Sequence, residues 1–264
     1  MAALSRALTA SAPVAAGDMP QAAALALSRA RRDGRRVPSA LLHVRSRDEA
    51  YAIQDATLAA IGPIGGWKVG ATAPSREPIC APLPAAGLVS GGSALQGTAW
   101  HLRGTEAEVA FRLGSDLPPR PSPYTRDEVA LAIASVLPVI EVAESRLADW
   151  LDADPAALLA DLLCHGGLVL GEAAPFNAAW FDLQRTEVVM RFGDQVVAHT
   201  IGENTHPDVG GLLAWLANHC VARGASLQAG QIITTGSCTG MLFASQGTPV
   251  HVKVSGLAPL SVFF

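Results

Sequence analysis

Glu106 and Glu108 stand two residues apart in the run Thr105-Glu106-Ala107-Glu108-Val109-Ala110-Phe111-Arg112-Leu113. Alternation along a strand puts Glu106, Glu108, Ala110 and Arg112 on one face and Val109, Phe111 and Leu113 on the other. Two carboxylates side by side repel one another unless a cation, a proton or a basic side chain stands between them. A hard divalent cation such as Mg2+ suits carboxylate oxygen best. A solvated strand face is the competing reading of the same pattern.

Further along, Glu141 is embedded in Leu137-Pro138-Val139-Ile140-Glu141-Val142-Ala143. An unpaired carboxylate between apolar neighbours is costly, so a third carboxylate there strengthens the cation reading. Glu144, nearer the end of that run, is expected to be solvated or paired with Arg146. Lys68 is the lone charge in Trp67-Lys68-Val69-Gly70-Ala71. It can hold a substrate carboxylate or deliver a proton, or it can be an edge-strand lysine that discourages aggregation. His165, in Cys164-His165-Gly166-Gly167, reads either as a structural histidine or as a proton relay at a helix-to-strand corner. In Gln231 to Gly240 a strand runs into a turn of small residues that includes Ser237; its amides and hydroxyls can bind an anion, or its glycines only shape the turn.

These residues need a scaffold. Ala and Leu at helical spacing predict a helix from about Met19 to Arg32, stopped by Gly34, and Ser46 with Glu49 three residues on predicts a capped helix from about Arg47 to Ala60. Its Tyr51, Ile53 and Leu58 require an apolar partner. Gly62 to Gly66 reads as a joint between this helical part and the strand-rich remainder of the chain. Residues Thr72 to Gly104 are rich in Pro and Gly and read as a long loop. Thr125 and Glu128 form a second capping pattern, opening a helix to about Val136 that Pro138 ends, with a β-branched strand after it. Asp154-Pro155 opens a helix to about Leu163, with a strand from Leu168 to Gly171. Gly193-Asp194 between two β-rich runs marks a hairpin, Pro207 to Arg223 a helix, and two strands close the chain, Pro249 to Val254 and Pro259 to Phe264.

Composition bounds the function. The chain has 264 residues, half of them hydrophobic and 16% charged, which suits a globular fold with a substantial core. Its net charge of −4 argues against a nucleic-acid surface. The one basic run, Arg29 to Arg36, is expected to be solvated and to favour the end of its helix. No apolar run reaches the roughly 18 residues that span a bilayer, so no membrane association is expected. Cys80, Cys164, Cys220 and Cys238 lack Cys-x-x-Cys spacing and read as reduced, buried thiols of a cytoplasmic protein. The first 17 residues lack acidic groups and read as a loosely ordered N-terminus. Phosphate-loop, dinucleotide and Gly-x-Ser-x-Gly patterns are absent.

Taken together, four segments resemble the 2-hydroxypenta-2,4-dienoate hydratase and 4-oxalocrotonate decarboxylase family of the fumarylacetoacetate hydrolase superfamily. They are Gly66-Trp67-Lys68-Val69-Gly70, Glu106-Ala107-Glu108-Val109-Ala110-Phe111, Glu141 followed by Ser145-Arg146, and Gly230 to Ser237, and the resemblance runs from Ala50 to the C-terminus.

The resemblance implies an α+β fold: an N-terminal helical cap over residues 1–65 and a mixed β-sandwich roll over residues 66–264, assembled as a homo-oligomer. It implies Mg2+ or Mn2+ on Glu106, Glu108 and Glu141, Lys68 near the substrate and Ser237 in the substrate loop. It also implies catalysis with Asp161, which survives from an Ala-Asp-Asn-Ala-Ser run that here reads Ala160-Asp161-Leu162-Leu163-Cys164; His165 follows and can compensate for the lost polar residues. The acidic residue common before Gly87 in the family is missing. The expected activity is hydration of a short 2-hydroxy-dienoate or 2-oxo-enoate to a 4-hydroxy-2-oxo acid. A 2-oxo acid decarboxylase, an acylpyruvate-type hydrolase and a non-catalytic partner of a pathway enzyme are the alternatives.

Overall fold

The computed structural model describes residues 19–71, 73, 75–97 and 99–264. The expectation for the first 17 residues lies outside them. Two helices lead, α1 (Met19–Asp33) and α2 (Arg47–Ile61). Gly34, at φ 60°, ends α1 in the left-handed region where glycine carries no Cβ penalty. Ser46 Oγ caps α2 by accepting from Glu49 N at 3.2 Å, but Glu49 returns its own bond to Arg45 N, one residue short of a full capping box. Tyr51 and Ile53 find their apolar partner in the main core, shared with Trp67 and Val69.

Among the described residues, thirteen strands come after the helical start: β1 (Ile64–Gly70), β2 (Ile79–Pro84), β3 (Leu88–Ser90), β4 (Gly104–Leu113), β5 (Ile133–Ala143), β6 (His165–Leu170), β7 (Ala174–Pro175), β8 (Glu187–Phe192), β9 (Gln195–Ile201), β10 (Ile232–Ser237), β11 (Leu242–Phe243), β12 (Pro249–Val254) and β13 (Leu260–Phe263). Helices α3 (Arg126–Ala132), α4 (Pro155–Ala160) and α5 (Val209–Ala222) lie among them.

The large sheet runs β2-β1-β10-β4-β5-β6-β3, with β11 added on β4 and β7 on β5. Its end strands β2 and β3 are joined by Ala85–Gly87 alone. Seven flat strands would set those ends about 29 Å apart, whereas four Cα steps reach about 14 Å. The sheet must therefore curl into a roll. Its interior is a cluster drawn from nearly every strand: Leu83, Ile232, Ala110, Leu137, Val139 and Leu168, with Leu88 and Leu170 against them. β1 contributes Gly66, where a Cβ would stand 2.2 Å from the carbonyl oxygen of Ile232.

A four-stranded antiparallel sheet, β13-β12-β8-β9, completes a sandwich. Its Val188, Met190, Val250 and Val262 share one core with Ala107, Val109 and Phe111 on the outward face of the roll. The β8–β9 hairpin turns at Gly193-Asp194 as expected, with Gly193 at φ 56°. Among the described residues, no helix is long and apolar enough to cross a membrane.

Several boundaries differ from the sequence reading. The stretch from Thr72 to Gly104 contains β2 and β3; Pro82 and Pro84 belong to an edge strand, where a missing N–H breaks no ladder. The helix opened by Thr125 ends at Ala132, and β5 begins at Ile133, so Pro138 sits inside the strand opposite Val109 instead of ending a helix. The β-branched and buried character of Ile133 and Val136 outweighed helix continuation. α4 stops at Ala160, and Pro207 precedes α5, whose cap is Asp208 accepting from Gly211 N at 2.9 Å. The proposed joint partly belongs to β1, which starts at Ile64.

Candidate metal centre and active site

Register assembles the site. β4 and β5 pair Glu106 with Glu141 and Glu108 with Val139, while β10 pairs Ser237 with Glu108 and Thr234 with Ala110. β1 lies on the far side of β10 and sets Lys68 beside Thr234. Parity then turns Lys68, Glu106, Glu108 and Glu141 into the same end of the roll, above its aliphatic filling. One oxygen from each glutamate can be chosen so that all three lie within 4.8 Å of one another. Glu108 is 3% and Glu141 1% exposed, which excludes the solvated-face reading. The edge-lysine reading of Lys68 is also excluded, because β1 is flanked by both β2 and β10.

The electrostatics arise from that crowding. Burial raises the Glu108 carboxyl well above its usual range, and the charges of Glu141 and Glu106 raise it further. Glu106 is raised by burial and by Glu141. Burial acts on Glu141 in the same sense, but the Lys68 ammonium, bonded to its Oε1, and the neighbouring His165 bring it down to about 2. Lys68 in turn is held charged, because Glu141 and Glu106 outweigh its own desolvation. Two carboxyls that resist ionisation beside one ion pair form a set that a divalent cation relieves. Its donors are all carboxylate oxygens, with neither sulfur nor imidazole among them, which fits a hard cation.

The three glutamates open into a cavity of about 220 Å3 that is also lined by Lys68, Leu163, Thr234 and Ser237. Gly236 donates its N–H to Glu108 Oε2 at 3.2 Å, and it must be glycine: its φ is 103°, and a Cβ would meet Thr205 Oγ1 at 2.2 Å. A larger cavity of about 760 Å3 lies near Trp100 and Phe264, but its described lining carries no acidic side chain.

Asp161 and His165 lie behind this cavity and do not line it. Asp161, 2% exposed, accepts from Ser145 Oγ at 2.8 Å, Arg146 N at 2.9 Å and Arg146 Nε at 2.6 Å. His165 is fully buried, its Nδ1 3.9 Å from Glu141 Oε1, and neither ring nitrogen has a hydrogen-bond partner among the described residues. Burial lowers its pKa to about 4, so it is neutral.

Between these two residues, Leu162, Leu163 and Cys164 have φ of 53°, 52° and 59°. Three successive non-glycine residues in the left-handed region cost on the order of 1–2 kcal/mol each and persist only where the surroundings over-determine them. Here the surroundings do. Cys164 O accepts from Glu144 N at 2.7 Å, His165 O accepts from Arg146 Nη1 at 2.9 Å and Arg31 Nη2 at 2.6 Å, and Leu163 O accepts from Lys68 Nζ at 3.0 Å.

Two sequence expectations give way to these contacts. Arg146 serves Asp161, and Glu144 is buried instead, accepting from Leu102 N at 2.8 Å with Arg36 at 3.5 Å. The basic run at the end of α1 is not simply solvated, since Arg31 and Arg36 both reach inward. Sequence reasoning also missed Thr205, Thr234 and Leu163 as lining residues. Thr234 carried a usable signal, since it faces the same way as its partner Lys68; Thr205 lies on a loop about which strand periodicity says nothing.

Comparison with known proteins gives a consistent picture. A family model described as "Fumarylacetoacetate (FAA) hydrolase C-terminal" matches residues 57–262. The 2-keto-4-pentenoate hydratase 1 of Dechloromonas aromatica (strain RCB) is 30% identical over 257 residues, covering 92% of this chain and 96% of that protein. A 2-hydroxyhexa-2,4-dienoate hydratase of Comamonas testosteroni is 29% identical over 159 residues, 60% of this chain and 59% of its own. Among solved structures, the 4-oxalocrotonate decarboxylase from Pseudomonas putida G7 complexed with magnesium and adipate aligns with a TM-score of 0.83 at 24% identity, over 96% of this chain and 100% of that one. This last likeness shows the fold.

Proposed function

The chain belongs to the fumarylacetoacetate hydrolase family, and from that membership we propose that it is a divalent-metal-dependent hydro-lyase. Its substrate is a short 2-hydroxy-dienoate or the corresponding 2-oxo-enoate, and its product a 4-hydroxy-2-oxo acid. The observation that carries this reading is the meeting of Glu106, Glu108 and Glu141 with Lys68 in one cavity. Near-full-length similarity to a protein named as a 2-keto-4-pentenoate hydratase supports it.

Glu106, Glu108 and Glu141 would hold Mg2+ or Mn2+, which supplies positive charge where the carboxylate and 2-oxygen of the substrate gather negative charge. The remaining work falls to the chain. Lys68, kept as an ammonium by its acidic neighbours, offers a donor to a substrate oxygen or returns a proton to it. Ser237, with Gly236, forms the wall that orients the substrate carboxylate. Asp161 is a positioning residue, holding Arg146 and through it the carbonyl of His165. His165 fills the space under Glu141.

With 2-hydroxypenta-2,4-dienoate, the 2-hydroxyl loses a proton and C5 gains one, giving the conjugated 2-oxo-enoate; water then adds its hydroxyl to C4 and its proton to C3. Purified protein with Mg2+ should consume the dienol, seen as loss of its ultraviolet absorbance, and form the 4-hydroxy-2-oxo acid. CO2 release from 4-oxalocrotonate without hydration would support the decarboxylase instead, and two acids from an acylpyruvate would support the hydrolase. We assign the working form to a homo-oligomer of cap-and-roll subunits, which light scattering tests.

A further inference from the structure

We propose that Leu163 sets the tail specificity of this site, admitting a 2-hydroxy-dienoate with a short uncharged tail and rejecting one that ends in a second carboxylate. The proposal rests on the functional reading above and deepens it.

At the acidic end of the cavity Gly236 bonds Glu108, and Lys68 bonds Glu141 and the Leu163 carbonyl; Thr205, Thr234 and Ser237 add hydroxyls to the lining but no positive charge. The rest of the described wall includes Leu163, Ile79, Val69 and Ala71, all hydrocarbon, and Lys68 is the one cation among the described lining residues. A tail lying along this wall meets no counter-charge, and an unpaired carboxylate buried against hydrocarbon is strongly disfavoured.

Leu163 owes its place to the backbone. With φ at 52° between Leu162 and Cys164, both also left-handed, its position is set by bonds on either side of it. Leu162 is anchored in an apolar cluster with Leu58 and Ala81, and Cys164 is held by Glu144 N. Its carbonyl and its side chain then perform separate tasks. The carbonyl holds Lys68, and the partly buried side chain packs against the Leu58, Ala81 and Leu162 cluster where the residue lines the cavity. A substitution at Leu163 therefore changes the wall while leaving the Lys68 acceptor in the main chain.

The test compares kcat/KM of the Mg2+-loaded protein on 2-hydroxypenta-2,4-dienoate and on 2-hydroxyhexa-2,4-dienedioate, its analogue with a carboxylate on the terminal carbon. The wild type should prefer the monoacid by about tenfold or more. Leu163→Asn, whose side chain tolerates the left-handed region, should shrink that preference several-fold, and Leu163→Ala serves where the Asn variant does not fold. A purely structural defect would slow both acids alike and leave the ratio unmoved, which overturns the proposal. Equal use of both acids by the wild type overturns it too and leaves the functional reading standing. Turnover of neither acid overturns both.

Discussion

The ammonium of Lys68 bridges the carboxylate of Glu141 and the carbonyl oxygen of Leu163, the latter at 3.0 Å. One side chain thus connects the proposed metal ligands to the strained turn whose Leu163 lines the cavity. Its burial is tolerated because the acidic neighbours hold its charge.

Lys68→Met removes the ammonium bonded to Glu141. In chelator-treated protein this should lower stability by about 3 kcal/mol or more, since it leaves a buried carboxylate uncompensated. Added Mg2+ should recover most of the loss, and Mg2+ should bind no more weakly than in the wild type. Turnover should nevertheless fall by about 100-fold or more, since a donor is missing. Denaturation with and without Mg2+, titration calorimetry and kinetics read the three outcomes.

Glu106→Gln and Glu108→Gln should each weaken Mn2+ or Mg2+ binding by roughly tenfold or more, since a neutral amide oxygen replaces an anionic donor. Exhaustive chelation should abolish wild-type activity, and Mg2+ should restore it. Activity indifferent to both treatments would dismiss the metal reading.

The pH dependence of metal-free stability has a definite sign. Glu106 and Glu108 have folded pKa values above the unfolded 4.5, so the folded state binds more protons and stability falls as pH rises above that value. His165 acts oppositely between its folded value of about 4 and the unfolded 6.5, where stability is lost as pH falls. Above pH 6.5 His165 is neutral in both states and contributes no further change. Chelated protein should therefore lose the carboxyls' contribution to thermal stability as pH rises above 4.5, with His165 working against that loss only up to pH 6.5. The stabilisation by Mg2+ should widen over the same range, because metal binding displaces protons. Melting curves at several pH values, with and without Mg2+, decide this.

Asp161→Asn leaves Arg146 buried with its main counter-ion removed. A stability loss of about 3–5 kcal/mol is expected. Because Asp161 does not line the cavity, the surviving folded enzyme should keep its pH profile. An altered pH profile would instead mark Asp161 as a participant in proton transfer.

Much of the site could be read from the chain itself. Period-2 alternation placed Glu106 and Glu108 on one face, the apolar run around Glu141 marked a buried charge, and motif order identified the family. Helix starts at Ser46, Thr125 and Asp154 were also legible, because capping is local chemistry acting over three or four residues. Tertiary structure decided what depends on partners distant in sequence. Only strand order showed β1 to be interior, which makes Lys68 part of the site and not an edge guard. Only the roll buried both faces of β4, and only packing against Leu58, Arg31, Arg146 and Lys68 could hold Leu162 to Cys164 in a backbone conformation that their own side chains disfavour. Local preference ends where such long-range bonds outweigh it, and in this protein that happens at Leu162 to Cys164, beside the cavity that Leu163 lines.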